Sequence, residues 1–364
     1  MIYFKFILAS QILNLASLLA VGQTRSCTFE PHPKSVSNGV SDSKGVKKEN
    51  IDSHQDAHLS PLKSSSDKVA NLCADDNVHD QVEATYRQAD VSRINSLLRE
   101  ASQLKEKPKS WMLWFGKKFI GVPYVGGTLD RAEEEKLVIN TSELDCTTFV
   151  EIVTALTRCM SGNGKRDFSD FCRQLQHVRY INGEIAYEKR QHYFTVWISD
   201  NVEEGIVTDI QNNPPFTKVQ HVSVNWMTTH QQSYKMLKNN AKRLQGIKAL
   251  EEQISGKSYR YIPKEQIVDS RLFRNTIHDG DILVMITNKK GLDTTHIGIA
   301  SWHQDGLHML NASSIHKKVI DEQLLLRTYM MKHPSQIGIR VCRVVDGAKS
   351  VSYTHLTLPT ILLV

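Results

Sequence analysis

The chain is most constrained by a cysteine at the start of an apolar run with helical spacing and a histidine at the head of a later strand-like run. Cys146 is followed by Thr147-Thr148-Phe149, and His296 precedes the apolar residues 297–300. A cysteine at a helix N-terminus lies near unpaired backbone N–H groups and the positive end of the helix dipole, and both favour the thiolate. A histidine beside it takes up a proton and delivers it to a leaving amine. The pair therefore predicts a cysteine hydrolase or acyltransferase.

Cys146 is the predicted nucleophile, which attacks a carbonyl carbon and forms a thioester that water then hydrolyses. Backbone N–H groups at the helix start are expected to stabilise the oxyanion. His296 is the predicted general base and acid, because it is a polar residue at the head of an otherwise apolar strand. The alternative for Cys146 is a buried packing cysteine, and the alternative for His296 is a structural role.

Three further residues complete the predicted site. A base histidine needs an acceptor for its second ring N–H, and Asn311 at the end of the next strand is expected to lie beside His296. The alternative for Asn311 is a turn asparagine. Tyr124, in the Gly- and Pro-rich loop 121–127, and Asp145, next to the nucleophile, are the predicted substrate contacts. A half-buried packing role is the alternative for Tyr124.

The N-terminal segment 1–22 has the pattern of a secretory signal. Lys5 precedes a largely apolar run that ends in the small-x-small site Ala20-Val21-Gly22. A membrane anchor is the alternative, for which the run is short. We expect an exported protein of the periplasm or cell envelope, with no stable membrane span after cleavage. The net charge of +6 comes without a dense basic block interleaved with aromatics, so no nucleic-acid partner is expected.

Composition divides the rest of the chain. Residues 23–81 are rich in Ser, Lys and Asp and have no aromatic residue between positions 31 and 80, which predicts a disordered tether. The hydrolase domain is predicted to span 82–347. Residues 351–364 resemble the translation of a transposase-type sequencing adapter and are interpreted as an artefact, the alternative being a genuine apolar tail.

The cysteines do not suggest a metal site. Six cysteines remain after signal cleavage, and in an oxidising compartment some of them can pair. If Cys146 stays free, at least one other is left over. Cys159 is predicted to be a buried packing residue on the same helix as Cys146. No CxxC or Cys/His spacing typical of zinc is present, so no metal and no other cofactor is expected.

Hydrophobic periodicity predicts helices first and an antiparallel meander afterwards, which is an α+β fold. Ser142 is the predicted N-cap of the helix that carries Cys146. The segment 224–254, polar and basic with helical stretches, is predicted to lie on the outside. The other predicted helices are 86–104, 111–120 and 168–178, and the predicted strands are 137–139, 192–198, 205–210, 281–286, 296–301, 307–311 and 337–345.

Four ordered motifs resemble the NlpC-type branch of papain-like cysteine peptidases. The longer intervening region, with Arg190-Gln191-His192-Tyr193-Phe194 and Gly291-Leu292-Asp293, is similar to the bacterial family of N-acetylmuramoyl-L-alanine amidase-like proteins. The resemblance covers roughly residues 86–345. The four motifs are Gly121-Val122-Pro123-Tyr124 with Gly126-Gly127, Asp145-Cys146-Thr147-Thr148-Phe149-Val150, His296-Ile297-Gly298-Ile299 and Asn311-Ala312-Ser313-Ser314.

The resemblance implies a papain-like fold, with the nucleophile-bearing helix packed on an antiparallel sheet, and metal-free hydrolysis of peptidoglycan or muropeptides. Cys146 and His296 take the nucleophile and base roles by motif position. Thr147-Thr148 replaces the usual Ser-Gly, and Asn311 stands where the pattern usually has His. The N-acetylmuramoyl–L-alanine bond is the favoured target. The alternatives are the D-glutamyl–diamino acid bond of the stem peptide, acyl transfer on the same scaffold, and a non-catalytic wall-binding protein.

Overall fold

A computed structural model of the protein describes residues 84–345. The predicted signal (1–22), the predicted tether (23–81) and the adapter-like segment (351–364) lie outside the described residues. The described part falls within the predicted domain 82–347, whose two boundaries stay a prediction. In this part of the chain, no helix combines the length and the apolar character needed to cross a membrane.

Helices dominate the first half of the described residues and strands the second half. The helices are α1 (Gln88–Ser102), α2 (Trp111–Lys117), α3 (Cys146–Ser161), α4 (Phe168–Arg179), α5 (Phe194–Glu203), α6 (Trp226–Thr229), α7 (Ala241–Ile254), α8 (Arg271–Thr276) and α9 (Leu326–Met331). The strands are β1 (Ala84–Thr85), β2 (Leu137–Val138), β3 (Val207–Ile210), β4 (Lys218–His221), β5 (Ser258–Pro263), β6 (Ile282–Thr287), β7 (Thr294–His303), β8 (Gly306–Ser313), β9 (Lys318–Asp321) and β10 (Gln336–Val344).

One antiparallel sheet contains strands β3 to β10. Its order is β4-β5-β10-β6-β7-β8-β9, and β3 pairs with β10 in addition. Neighbours β7 and β8 form a hairpin in which Ile299 pairs with Leu310. Strands β1 and β2 pair in parallel as a separate small sheet. Helices pack on this antiparallel sheet, which confirms the prediction of an α+β fold class.

Helix α3 lies in the middle of the largest apolar core. It packs against helices α2 and α4 and against strands β7 and β8. Phe149, Val153 and Leu156 are fully buried there, as the helical periodicity predicts. Burying each of these side chains contributes about 1.5–3 kcal/mol. The packing therefore holds the first turn of α3 against the β7–β8 hairpin.

The prediction of a strand at 192–198 is wrong, because this segment enters helix α5. Residues 194–198 are all buried, and such a short, nearly continuous apolar run does not by itself distinguish a helix from a strand. The carboxylate of Asp293 decides between the two, since it accepts the Thr195 N–H at 2.8 Å and so satisfies a first-turn donor. That partner lies about one hundred residues away in the chain, where local periodicity cannot detect it.

Two other predictions need correction. The N-cap of α3 is Asp145 and not Ser142, because the Asp145 side chain accepts the Thr148 N–H. The segment 224–254 is less external than predicted, since α7 buries Ile247 and Leu250 in an apolar cluster of its own. Most other predicted helices and strands are confirmed within a few residues. The elements that the periodicity missed are short: β1, β4, β5, β9, α8 and α9.

A buried ion pair gives a test of how α3 is held. Arg179, the last residue of α4, places Nε 2.7 Å from Glu151 Oε2 on α3, and both side chains are buried. Arg179→Met leaves the carboxylate uncompensated and is expected to lower the free energy of unfolding by about 3–5 kcal/mol in denaturant titrations. The double variant with Glu151→Leu is expected to recover much of the loss.

The control is the exposed pair of Lys248 and Glu252 on α7, 3.9 Å apart. Lys248→Ala is expected to cost less than about 1 kcal/mol. Equal losses for Arg179→Met and Lys248→Ala would contradict the role of the buried pair.

Candidate active site

Helix α3 begins at Cys146 because the residue before it forms a reciprocal cap. The Asp145 carboxylate accepts the Thr148 N–H at 2.8 Å, and the Thr148 hydroxyl accepts the Asp145 N–H at 2.9 Å. This pair of bonds is a capping box, which satisfies a first-turn donor and stops the helix from extending backwards. Cys146 is therefore the first helical residue, at the positive end of the dipole, as the sequence predicts.

His296 and Asn311 face each other across the β7–β8 hairpin. The imidazole Nε2 lies 3.0 Å from Asn311 Oδ1. An amide oxygen only accepts, so Nε2 carries the hydrogen and donates it. The Asn311 amide nitrogen donates in turn to the Met309 carbonyl at 3.4 Å, which fixes the amide orientation. Nδ1 of His296 is consequently the nitrogen whose lone pair is available as a base.

Cys146 and His296 line the same cavity, of about 110 Å³. The Cys146 sulfur also lies within hydrogen-bonding reach of the Ile297 N–H, next to His296 on β7. Both side chains are only 7% exposed. The structure thus brings together three predicted site residues, Cys146 from α3, His296 from β7 and Asn311 from β8.

Burial determines the resting protonation of this pair. It raises the pKa of the Cys146 thiol to about 12, helped by the Asp145 carboxylate and opposed by the N–H groups of Ile297 and Thr147. Burial also lowers the pKa of His296 to about 4, opposed by the hydrogen bond to Asn311. At neutral pH the pair is therefore a thiol and a neutral imidazole. The expectation that the helix start alone favours the thiolate is corrected, because loss of hydration outweighs it.

The two predicted substrate contacts do not line this cavity. The Asp145 side chain is engaged in the cap and faces a second, smaller cavity together with Asp130, Glu151 and Arg190. Tyr124 is buried, and its backbone N–H donates to the Lys317 carbonyl at 2.9 Å. Contact of either residue with substrate stays a prediction.

The sequence of this chain is similar to that of a family of amidase-like proteins. Residues 114–339 match the sequence profile of the AmiA-like family, described as N-acetylmuramoyl-L-alanine amidase-like. The chain belongs to this family. One similar solved structure is the crystal structure of an N-acetylmuramoyl-L-alanine amidase from Bacteroides uniformis. Its sequence is 36% identical to this chain and its TM-score is 0.60, and the match covers 64% of this chain and 97% of that chain.

Other solved structures also resemble this AmiA-like chain. A Bacteroides fragilis protein described as a candidate xylanase is 36% identical, with a TM-score of 0.59, over 64% of this chain and 100% of that chain. A Legionella pneumophila protein shares the fold at 23% identity and a TM-score of 0.55, over 71% of this chain and 95% of that chain. Among curated proteins, none matches significantly.

Much of the cavity wall comes from segments to which the sequence assigned no role. Gln191, His192, Tyr193 and Phe194 line it from the start of α5. Their signal in the sequence was a polar and aromatic cluster directly before an apolar run, which the strand prediction obscured. The His192 Nε2 hydrogen is donated to the Tyr187 carbonyl at 2.7 Å, and its Nδ1 is buried with no hydrogen-bond partner in residues 84–345. Burial lowers the pKa of His192 to about 3, so it is a neutral acceptor.

Among the described residues, the cavity is lined by one lysine and one aspartate, and these two side chains differ in whether they are already engaged by other protein groups. Lys289 is the only ammonium among its lining residues in the described part of the chain, and burial lowers its pKa with no opposing carboxylate among residues 84–345. Among residues 84–345, Asp293 is the only carboxylate that lines the cavity. Its two oxygens accept the N–H groups of Thr294, at 2.7 Å, and of Thr195, at 2.8 Å. The cavity therefore suits a substrate that carries a carboxylate.

The protonation of His296 gives a test that needs no substrate. The Asn311 hydrogen bond raises the pKa of His296, so Asn311→Ala is expected to move its titration midpoint below about 4. The nearby His333 lowers that pKa, so His333→Gln is expected to move the midpoint upwards. Side-chain NMR titration of histidine measures both shifts. Below the midpoint Nδ1 is protonated and no longer acts as a base.

A midpoint near the ordinary value of 6.5 in the wild-type protein would contradict the effect of burial. Shifts of the same sign in both variants would contradict the two opposing contributions.

Proposed function

We propose that the protein is an exported peptidoglycan amidase that uses Cys146 as its nucleophile and favours the bond between the lactyl group of N-acetylmuramic acid and L-alanine. One observation carries the proposal: Cys146 at the first turn of α3 shares a cavity with His296, whose other nitrogen is held by Asn311. Membership of the N-acetylmuramoyl-L-alanine amidase-like family supports the choice of substrate.

In the proposed mechanism, the proton moves as the carbon–sulfur bond forms. His296 Nδ1 takes the thiol proton while the Cys146 sulfur attacks the amide carbon, so no free thiolate has to persist in a buried site. N–H groups of the first turn of α3 stabilise the oxyanion. Asn311 orients the imidazolium, which then protonates the leaving amine. Water, deprotonated by Nδ1, hydrolyses the thioester and regenerates the thiol.

The proposal includes an NlpC-type papain-like fold for the domain. Its support is the arrangement in which a helix that begins with the cysteine packs on an antiparallel sheet, with the histidine and its orienting residue on adjacent strands. The proposal also includes export, which the signal-like segment 1–22 supports. A mature N-terminus at Gln23, read by mass, is the observation that agrees with export, and an intact Met1 disagrees with it.

Glycoside hydrolysis is a second candidate, since one similar structure is described as a candidate xylanase. Glycosidases generally use two carboxyl groups, roughly 5–9.5 Å apart, of which one is a free nucleophile or base. Within the described residues, the cavity at Cys146 has one lining carboxylate, Asp293, whose two oxygens already accept backbone N–H groups. The site therefore favours amide cleavage.

Digestion of purified sacculi tests the reaction. The wild-type protein is expected to release stem peptides with a free L-alanine N-terminus, identified by product mass. Cys146→Ala is expected to lower the rate by roughly 10⁴-fold or more, because it removes the nucleophile. The matched control is Cys159→Ala, which alters a buried cysteine of the same helix and is expected to retain cleavage.

Each other outcome selects an alternative. Fragments cut at the D-glutamyl bond would indicate a stem endopeptidase, and products that incorporate an added amine would indicate acyl transfer. Undiminished cleavage by Cys146→Ala, or no cleavage by the wild type, would contradict the proposal.

Lys289 gives a test of substrate charge. Lys289→Gln is expected to raise KM roughly tenfold for muropeptides whose glutamyl carboxylate is free, which corresponds to about 1.4 kcal/mol of lost binding. It is expected to change KM little for the same muropeptides with that carboxylate amidated. Lys290→Gln alters the exposed neighbour and serves as the control. An equal effect on both substrates would show that the charge of Lys289 does not recognise a carboxylate.

A further inference from the structure

A second group of side chains that can bind a metal ion, two imidazoles and one carboxylate, lies at the turn of the β7–β8 hairpin. His303 ends β7, Asp305 occupies the turn, and His308 lies on β8. One ligand atom of each lies within 4.8 Å of the others. The two imidazole rings stack nearly in parallel with centroids 4.1 Å apart, so His303, the more exposed of the two, has to rotate before both rings direct a nitrogen lone pair at one ion. None of these residues lines the cavity at Cys146.

The hydrogen bonds of His308 place a lone-pair nitrogen of its neutral ring next to a carboxylate oxygen. Its Nδ1 lies 2.9 Å from the Glu322 carbonyl, which only accepts, so Nδ1 carries the hydrogen. In the neutral ring Nε2 is then a lone-pair nitrogen, and it faces the Asp305 carboxylate at 3.0 Å. Two acceptors at this distance require a cation between them, which is either a proton or a metal ion.

The surroundings of the cluster resemble those of metal-binding histidines. Such histidines generally donate the second ring N–H to a carbonyl or carboxylate, which fixes the ring orientation. His308 donates to the Glu322 carbonyl in this way. His303 is held through Nε2 by Asp321 at 3.2 Å and by the Ser301 hydroxyl at 3.1 Å. Asp321 Oδ1 is buried and has no hydrogen-bond partner among residues 84–345.

We propose that this hairpin turn binds one divalent transition-metal ion of the zinc, nickel and cobalt class through His303, Asp305 and His308. Two imidazoles and one carboxylate suit these ions, whereas calcium and magnesium favour oxygen ligands. The 3.0 Å between His308 Nε2 and Asp305 Oδ1 matches two ligands about 2.1 Å from one ion and roughly 90° apart. Asp305 is 66% exposed, so water has access to the remaining positions.

The ion has a structural role in this proposal. His303 lies seven residues along β7 from His296 (303 − 296 = 7), which is roughly 20 Å in an extended strand. The ion is therefore remote from the reacting atoms. It joins the ends of the two strands that carry His296 and Asn311, and binding to the folded state stabilises the hairpin by mass action.

Metal titration of the purified protein tests the site. The background is Cys146→Ala, so that the active-site thiol does not compete for the ion. After chelator treatment, Co²⁺ alone is expected to give visible ligand-field absorption that saturates at about one equivalent, and Zn²⁺ alone is expected to raise Tm by a few degrees. Asp305→Asn and His308→Gln are each expected to weaken Zn²⁺ binding by at least about tenfold in calorimetry.

Asp305 lies in an exposed turn, so Asp305→Asn keeps the test valid if His308→Gln fails to fold. His221→Gln, an exposed histidine on β4, is the control and is expected to bind as the parent does. Unchanged affinity in Asp305→Asn, or no saturable binding by the parent, overturns the proposal. So does NMR that shows both ring nitrogens of His308 protonated in excess Zn²⁺, because the cation is then a proton.

Discussion

The packing of α3 against the β7–β8 hairpin is the interaction on which the rest of the site depends. Phe149, Val153 and Leu156 bury the inner face of the helix and fix its distance from the sheet. The capping box at Asp145 then fixes where along this axis the helix begins, and so where the Cys146 sulfur lies. Without that contact, the cysteine and the histidine would be two polar groups on separate elements.

The same burial that assembles the site also changes its chemistry. It disfavours the charged form of both partners, so it raises the pKa of Cys146 and lowers that of His296. A pair of this kind rests uncharged, and charge separation has to accompany attack on the substrate. The hydrogen bond from His296 to Asn311 is then a means of supporting the imidazolium when it forms.

The sequence predicted a large part of this arrangement, and its errors have physical causes. The helix that carries Cys146 and the strands that carry His296 and Asn311 have strong periodicity, so they were predicted within a few residues. The strand predicted at 192–198 failed because Asp293, distant in the chain, caps α5. The sequence did not predict that His192 and Lys289 line the cavity. Residues that line one cavity come from separate segments of the chain and form no common sequence motif.

The residue types and their order along the chain determined by themselves that a cysteine would open a helix and that a histidine would lie on a strand of an antiparallel sheet. Hydrophobic periodicity and capping are local, so the linear chain contains them. The tertiary structure alone decided which nitrogen of His296 is the base, how burial sets the resting protonation, and which side chains line the cavity. It also decided that His303, Asp305 and His308 converge at one turn. These properties depend on distances between residues far apart in the chain, and such distances exist only once the chain has folded.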